Sequence, residues 1–434
     1  MEVYGLKKNT WFQIISSYAG WLMDGYTTIA YALVASTIST IFFPSSLKIY
    51  GLVFTFLGLA VEEIARPFGS LIMGNFLGDK LGRKKMLTIT ILGFSIFAAS
   101  KGLLPTYVQI GIAAPILLYI ILFIEGLFAG AEYGGGTTLS MESVPSSKRM
   151  PVGAFVQSGF GTGFFIVSFV SASLANYYGG ALFASFGWRI LFFTTIIPGI
   201  LTLVIRYITS ETSIFTDMKK NKEILREPVT GLIRKGGKPL LFGLIFTSGL
   251  LFINSITFSY YPALMGELHS SLTIPLIDTY NAYINLISLF GVWIGGIVAL
   301  FFGGRRKAIL VYSIIFTIIT YPIAYFAFHG SAFVTFAVFS IQAFFEAMIF
   351  ATLPAFLAES FSKRYRTTGV GFTYNGGAIL AGFAISLVLY TSTFTRSLFV
   401  SWTLWFFVAE AIMLFGMVLS AETFKRGRPD RIEA

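Results

Sequence analysis

The 434-residue sequence has no cysteine, only two histidines, and charged residues at just 12% of its length. Without cysteine there are no disulfides, thiolate metal sites or cysteine nucleophiles. His269 and His329 stand alone at the ends of apolar segments, so a histidine-rich metal centre is also excluded, and no metal or organic cofactor is expected. The polar loops offer mainly lysine, arginine and glycine rather than an acid–base–nucleophile cluster, which argues against an enzyme. No ring of repeated filter residues suggests a channel. Gly134-Gly135-Gly136 and the alternating glycines Gly159, Gly161 and Gly163 follow no strand and carry no P-loop lysine, so they read as helix-packing positions.

What is present is apolar bulk. The chain is 55% hydrophobic with a mean hydropathy of +0.77, whereas soluble domains carry roughly a quarter charged residues. Apolar runs of about 20 residues, each long enough to cross a bilayer, recur along it. The pattern predicts an all-α polytopic membrane protein with spans near 11–42, 50–77, 87–104, 113–140, 151–176 and 187–208, then 239–265, 280–302, 308–328, 332–358, 368–392 and 399–420. The first span is too long for a signal peptide and lacks a small-residue cleavage site. A polar, basic stretch separates the two groups of six. The expected organisation is an N-terminal bundle over 1–209, a cytoplasmic linker over 210–238, and a C-terminal bundle over 239–434 ending in a short basic tail.

The net charge of +11 sits in clusters on alternate loops, which points to membrane orientation rather than nucleic acid. Of 31 Lys and Arg residues, 25 fall on one side, and only Lys48, Lys101, Arg189 and Arg396 fall on or near the other. Both termini are therefore expected to be cytoplasmic, in a cell-membrane protein that acts as a monomer. The halves also echo each other. Met141-Glu142-Ser143 through Lys148-Arg149 resembles Ala358-Glu359-Ser360 through Arg366, Gly82-Arg83-Lys84-Lys85 resembles Gly304-Arg305-Arg306-Lys307, and Glu211-Thr212 resembles Glu422-Thr423. Two such repeats place a solute path between them near the bilayer midplane.

Charged side chains within spans are costly and point to function. Asp24 and Arg66 each lie 13 residues from the cytoplasmic end of their segment, about 20 Å at 1.5 Å per residue. Glu125 and Glu132 bracket the same depth on the fourth span. Asp24, Glu132 and Glu125 are the candidate proton carriers, with the proton as coupling ion and Arg66 as the cation that holds an anionic solute. Glu62 and Glu63 precede Arg66 by four and three residues, so a structural helix-locking pair is the competing account. Asn254, Tyr260, Asn281, Asn285 and Asn375 are candidate solute contacts, or alternatively hydrogen bonds between helices. Asp79 is placed to cap the helix after it, and Arg83 to pair with Glu142.

At this point a family resemblance emerges. Gly78-Asp79-Lys80-Leu81-Gly82-Arg83-Lys84-Lys85 fits the helix 2–3 signature of the major facilitator superfamily. Arg66-Pro67-Phe68-Gly69, Ala131-Glu132-Tyr133-Gly134-Gly135, Gly187-Trp188-Arg189 and the run from Leu357-Ala358-Glu359 through Arg366-Thr367-Thr368-Gly369 to Tyr374-Asn375 are similar to the metabolite:proton and sialate/lactate:proton symporters. The resemblance implies proton-coupled uptake of a small polar metabolite, in particular a carboxylate, by alternating access. A sugar porter is the second reading, since Gln157 falls where sugar porters place a sugar-binding glutamine. It also implies a gate built from Asp79, Gly82, Arg83, Glu142, Arg149, Glu359 and Arg366. Two departures stand out. Leu122 and Glu125 replace the family's helix 4 arginine and glutamine, leaving Arg66 the expected lone cation at the midplane. Phe301 replaces Asp79 in the second loop copy, which is therefore expected to have lost its gating role.

Overall fold

In the computed structural model, residues 2–3, 5–44, 49–224 and 228–424 are described. The basic tail from 425 onward, Lys48 and linker residue Arg226 lie outside them. Twelve helices cross the molecule: α1 (Lys8–Leu33, continued by Ala35–Ile41), α2 (Ile49–Gly69), α3 (Arg83–Ser100), α4 (Ala113–Glu142), α5 (Arg149–Tyr178), α6 (Trp188–Phe193 and Ile196–Ile208), α7 (Pro228–Asn254, continued by Tyr261–Leu268), α8 (Ile274–Val298), α9 (Arg305–His329), α10 (Ala332–Ala351, continued by Leu353–Ser360), α11 (Arg366–Gly382, continued by Ala384–Thr395) and α12 (Leu398–Leu419). A two-residue antiparallel pairing, Glu2–Val3 with Leu6–Lys7, precedes α1. Ten stretches among the described residues are long and apolar enough to cross a membrane by composition alone. The first two helices are not among them: α1 is rich in Ser, Thr, Tyr and Gly besides Asp24, and α2 carries Glu62, Glu63 and Arg66.

Two bundles of six result. In the first, α1 packs along α5 and α6, α2 along α4, and α3 along α4 and α6. In the second, α7 packs along α11 and α12, α8 along α10, and α9 along α10 and α12. The bundles meet where α5 lies along α8 and α11 along α2 and α4. Each pairing has its counterpart in the other half, as the sequence repeats require.

Small residues set the tightest crossings. A Cβ at Gly126 or Gly130 of α4 would overlap the backbone carbonyls of Glu62 and Arg66, so these glycines let α4 press against the charged turn of α2. Pro67 lacks the N–H that α2 would use there, and the helix widens into π-type turns over Ser70–Gly78. Gly82 then adopts φ +115, which a side chain rarely tolerates, and turns the chain into α3 so that Arg83 heads the helix.

The linker is shorter than its composition suggests. Ser213–Lys220 forms a helix capped by the Thr212 hydroxyl, and α7 begins at Pro228 instead of 239. Proline suits a first helical turn, and Leu232 buries its side chain while Arg234 and Lys235 stay exposed, so the basic stretch extends the helix past the apolar layer.

The orientation is testable on a cysteine-free background. Cysteine placed at exposed Ser271, in the α7–α8 turn, should react with an impermeant maleimide on intact cells. Cysteine at Thr216 should react only after permeabilisation, and the reverse pattern would invert the topology.

Candidate functional site

The centre of the molecule is a charged knot at the bundle interface. The Arg66 guanidinium donates to both carboxylate oxygens of Asp24 at 3.0 and 3.1 Å, to Glu62 at 2.7 Å and to the Thr28 hydroxyl at 3.3 Å. Its Nε lies 3.4 Å from Glu63. Asp24 is fully buried, and of the three carboxylates Glu63 is the most open, its side chain 18% exposed. The two accounts of Arg66 are thus not exclusive, since it holds the cross-helix aspartate and both glutamates of its own helix. Three carboxylates face one cation, and only one can be balanced by it.

Two small cavities, each about 50 Å³, adjoin this knot. Asp24, Thr28, Glu63, Arg66 and Asn254 line one, and Gln157, Asn254, Asn285 and Ser288 line the other. Trp21, Phe160 and Tyr374 border both. Trp21 packs on Phe160 and Tyr133 at 5.4 and 4.8 Å, and Tyr133 stacks on Tyr374 at 3.6 Å. This aromatic wall was not singled out in the sequence, because 17% of the chain is aromatic and no spacing separates wall from packing. Drug-sized ligands fill roughly 300–1,000 Å³, so the centre is collapsed to water-sized space. A larger cavity of about 570 Å³ lies towards the end remote from the α2–α3 loop, lined by Ser36, Thr37, Glu267 and Asp278 among others.

Other candidates sit elsewhere. Glu125 pairs with Lys101 at 2.8 Å, and the ammonium also lies over the rings of Phe192 and Tyr31 at 5.1 and 5.9 Å. Glu132 pairs with Arg206 and accepts from Thr90 at 3.4 Å. Neither reaches Arg66. They are seven residues apart on α4, about 10 Å along the axis, and each meets a cation from a neighbouring helix. Arg66 is therefore not the lone buried cation near the midplane, as the sequence suggested: Lys101, expected on or near the outer side, and Arg206, in the last turn of α6, are both 1% exposed and meet these carboxylates. A basic residue closing an apolar run is long enough to do so.

Gln157, Asn254 and Asn285 line the central cavities, whereas Tyr260, Asn281 and Asn375 do not. Tyr260 donates to Glu267 at 2.9 Å beside the larger cavity. Asn281 donates to the Ile277 carbonyl of its own helix. Asn375 ties the bundles together through Ser70 Oγ at 2.8 Å and the Gly130 carbonyl at 2.6 Å.

At the end carrying the α2–α3 loop, two matching locks join the halves. Glu142 accepts from Arg83 at 3.3 Å, Arg366 at 2.8 Å and Thr212 at 3.0 Å. Glu359 accepts from Arg305 at 3.2 and 3.3 Å, Arg149 at 3.3 Å and Thr423 at 3.0 Å. The second loop copy has therefore kept its arginine–glutamate lock without the aspartate, through Arg305, which also donates to the Ser146 carbonyl at 2.9 Å. Asp79 caps a different helix from the one expected. It accepts from the Thr368 amide at 3.1 Å and hydroxyl at 2.6 Å, in the first turn of α11 across the interface. The start of α3 is met instead by Glu211, which accepts from the Lys84 amide at 3.1 Å. At the opposite end the halves touch through neutral donors, Ser171 to Asp278 at 2.5 Å and Ser386 to the Val53 carbonyl at 3.1 Å. The molecule is thus sealed by ion pairs at one end and open to a cavity at the other.

Comparison with known proteins agrees with this architecture. A family model described as sugar (and other) transporter matches residues 12–237. The inner membrane metabolite transport protein YhjE of Escherichia coli is 30% identical over 85% of this chain and 84% of its own. The ectoine/proline transporter ProP of Corynebacterium glutamicum is 27% identical over 86% and 77%, and the shikimate transporter of Escherichia coli 27% over 85% and 84%. The fold matches that of the proton:xylose symporter XylE bound to 6-bromo-6-deoxy-D-glucose, with a TM-score of 0.76 at 16% identity over 97% of this chain and 98% of that one. The chain belongs to the sugar (and other) transporter family of the major facilitator superfamily, and it is a multi-pass membrane transporter of small molecules.

Proposed function

We propose that this transporter is a proton-coupled symporter that takes up a small carboxylate. The observation that carries this reading is the Arg66 knot: a guanidinium beside the central cavities, bound by more carboxylates than it can balance. Arginine's planar fork suits a carboxylate, but Asp24 occupies it bidentately. Protonation of Asp24 removes its charge and frees the fork for an anionic solute. Proton and solute thus enter together, and neither is held well alone. Relatives that transport shikimate or ectoine and proline lend support, since each of these solutes carries a carboxylate.

In this reading both termini are cytoplasmic and a single chain in the cell membrane does the work. The halves over 1–209 and 239–434 rock about the site, and the Glu142 and Glu359 locks hold the cytoplasmic side shut while the outer cavity admits solute. A neutral sugar is the second reading, favoured by the Gln157, Asn254 and Asn285 amides around the cavity.

Counterflow in proteoliposomes against carboxylates, amino acids and sugars, with and without a pH gradient, tests the reading. Asp24→Asn should keep solute exchange yet lose accumulation driven by the gradient; normal accumulation would sink the proton role of Asp24. Arg66→Ala removes the cation from three carboxylates, a loss worth about 3–5 kcal/mol for a buried pair. Carboxylate uptake should fall by about a hundredfold or more, and a solute whose uptake survives would point to the sugar reading. Glu142→Gln discharges the acceptor shared by two arginines. A cysteine at buried Thr137, on the sealed side, should then react with maleimide about tenfold faster. An unchanged rate would mean that Glu142 does not hold the gate.

A further inference from the structure

The two bundles treat buried carboxylates differently. In the first, Asp24, Glu62, Glu63, Glu125 and Glu132 all stand against Arg66, Lys101 or Arg206. In the second, Asp278 and Glu410 meet the hydroxyls of Ser171 and Thr320, and Glu346 on α10 is fully buried, its oxygens accepting among the described residues only from neutral groups of α7: Asn254 Nδ2 at 3.1 Å and Thr257 Oγ1 at 3.0 Å. The titratable neighbour facing it from α7 is Tyr261, whose hydroxyl donates to Gln342 at 2.8 Å, one turn earlier on α10. Helices α5, α8 and α9 also pack on α10 and present no charged group to Glu346 among the described residues. A carboxylate with no cation is costly to keep ionised inside a membrane, and a carboxylic acid is the neutral alternative.

Its position joins that choice to the solute. Asn254 is the last residue of the regular part of α7, and Thr257 lies within the π-type turns of Ser255–Ser259 that interrupt the helix. Such widened turns recur at functional sites. Asn254 lines both central cavities, and Ala347, next to Glu346, lines one of them. As an ionised group Glu346 can only accept, and it holds Asn254 and Thr257 together. As an acid, one oxygen carries a hydrogen and gives up a donor, which is then free to turn towards the cavity.

We propose that Glu346 is a second proton-carrying carboxylate, separate from the Asp24–Arg66 pair, whose protonation releases the Asn254 amide to the transported solute. The step moves one proton from the outer solution onto a carboxylate oxygen and later to the inner solution, with no other atom transferred. It rests on the proton-coupled reading above, and it adds a second coupling proton on the half of the molecule that lacks intramembrane ion pairs among the described residues.

Infrared difference spectroscopy of the purified protein titrated with acid tests it, the proton itself being the probe. A carboxyl component should grow on acidification in the wild type, in Asp24→Asn and in Asp278→Asn and Glu410→Gln, which remove the other buried carboxylates of that half with neutral partners, and that component should be lost in Glu346→Gln. The same band in Glu346→Gln overturns the proposal. Should the glutamine variant fail to fold, Glu346→Asp keeps the titrating group, and the band should appear at a shifted frequency; an unshifted band is equally fatal. In proteoliposomes the proton-to-solute ratio is read from the reversal potential, with whichever of shikimate, L-proline and D-xylose the wild type exchanges. It should drop from two to one in Glu346→Gln, and an unchanged ratio overturns the coupling role. A wild type that accumulates nothing under a pH gradient would refute the symport reading itself, while the infrared titration still decides whether Glu346 binds a proton.

Discussion

The cost of a bare charge in an apolar interior governs this structure. With 55% hydrophobic residues and few charged ones, the first bundle sets its buried charges against partners on other helices, Asp24 against Arg66, Glu125 against Lys101 and Glu132 against Arg206, and leaves a surplus of acid only around Arg66 among the described residues. Removing one partner of such a pair costs about 3–5 kcal/mol, a large share of the 5–15 kcal/mol that holds a domain together. Helix packing follows from this: α4 comes close enough to α2 to enclose Arg66 because Gly126 and Gly130 present no side chain there. The knot, the Lys101–Glu125 pair and the Arg206–Glu132 pair then fix the relative positions of α1, α2, α3, α4 and α6.

Function follows from the places where this neutralisation is incomplete or shared. Arg66 has a surplus of acid around it, and in the proposed mechanism its balance shifts with proton and solute. Glu142 and Glu359 each serve two arginines, so their balance shifts with the separation of the halves. The opposite end is joined by hydrogen bonds from the neutral donors Ser171 and Ser386 and holds the larger cavity.

Much of this was legible in the sequence. Twelve spans, their grouping in sixes and the Arg83–Glu142 contact all follow from hydropathy and from repeated motifs. Depth also placed Asp24 level with Arg66, and the structure brings them into contact. What was illegible concerns reach and rotation. Lys101 and Arg206 look like end-of-helix cations, and nothing in their spacing tells that their side chains fold inward. Asn281 and Asn285 share a helix face by spacing, yet Asn285 lines one of the two central cavities and Asn281 neither. Asp79 has a helix start beside it in the chain, and its true partner, Thr368, lies 289 residues away. Phe301 in the second loop copy hid the fact that Arg305 still finds Glu359.

The shared acceptor has a consequence for how the molecule moves. Glu142 lies on α4 and keeps Arg83 from its own half whether or not Arg366 is near; Glu359 stands in the same relation to Arg305 and Arg149. In the proposed rocking motion neither glutamate is stranded when the halves part, and Arg366 and Arg149 keep backbone acceptors in their own halves, the carbonyls of Ala358 and Met141. The catch resembles a door with the latch mounted on the frame and a free tongue on the leaf: it releases without breaking, and it re-engages from either position. A carrier that must cycle many times in both directions needs this reversibility more than it needs a strong bond.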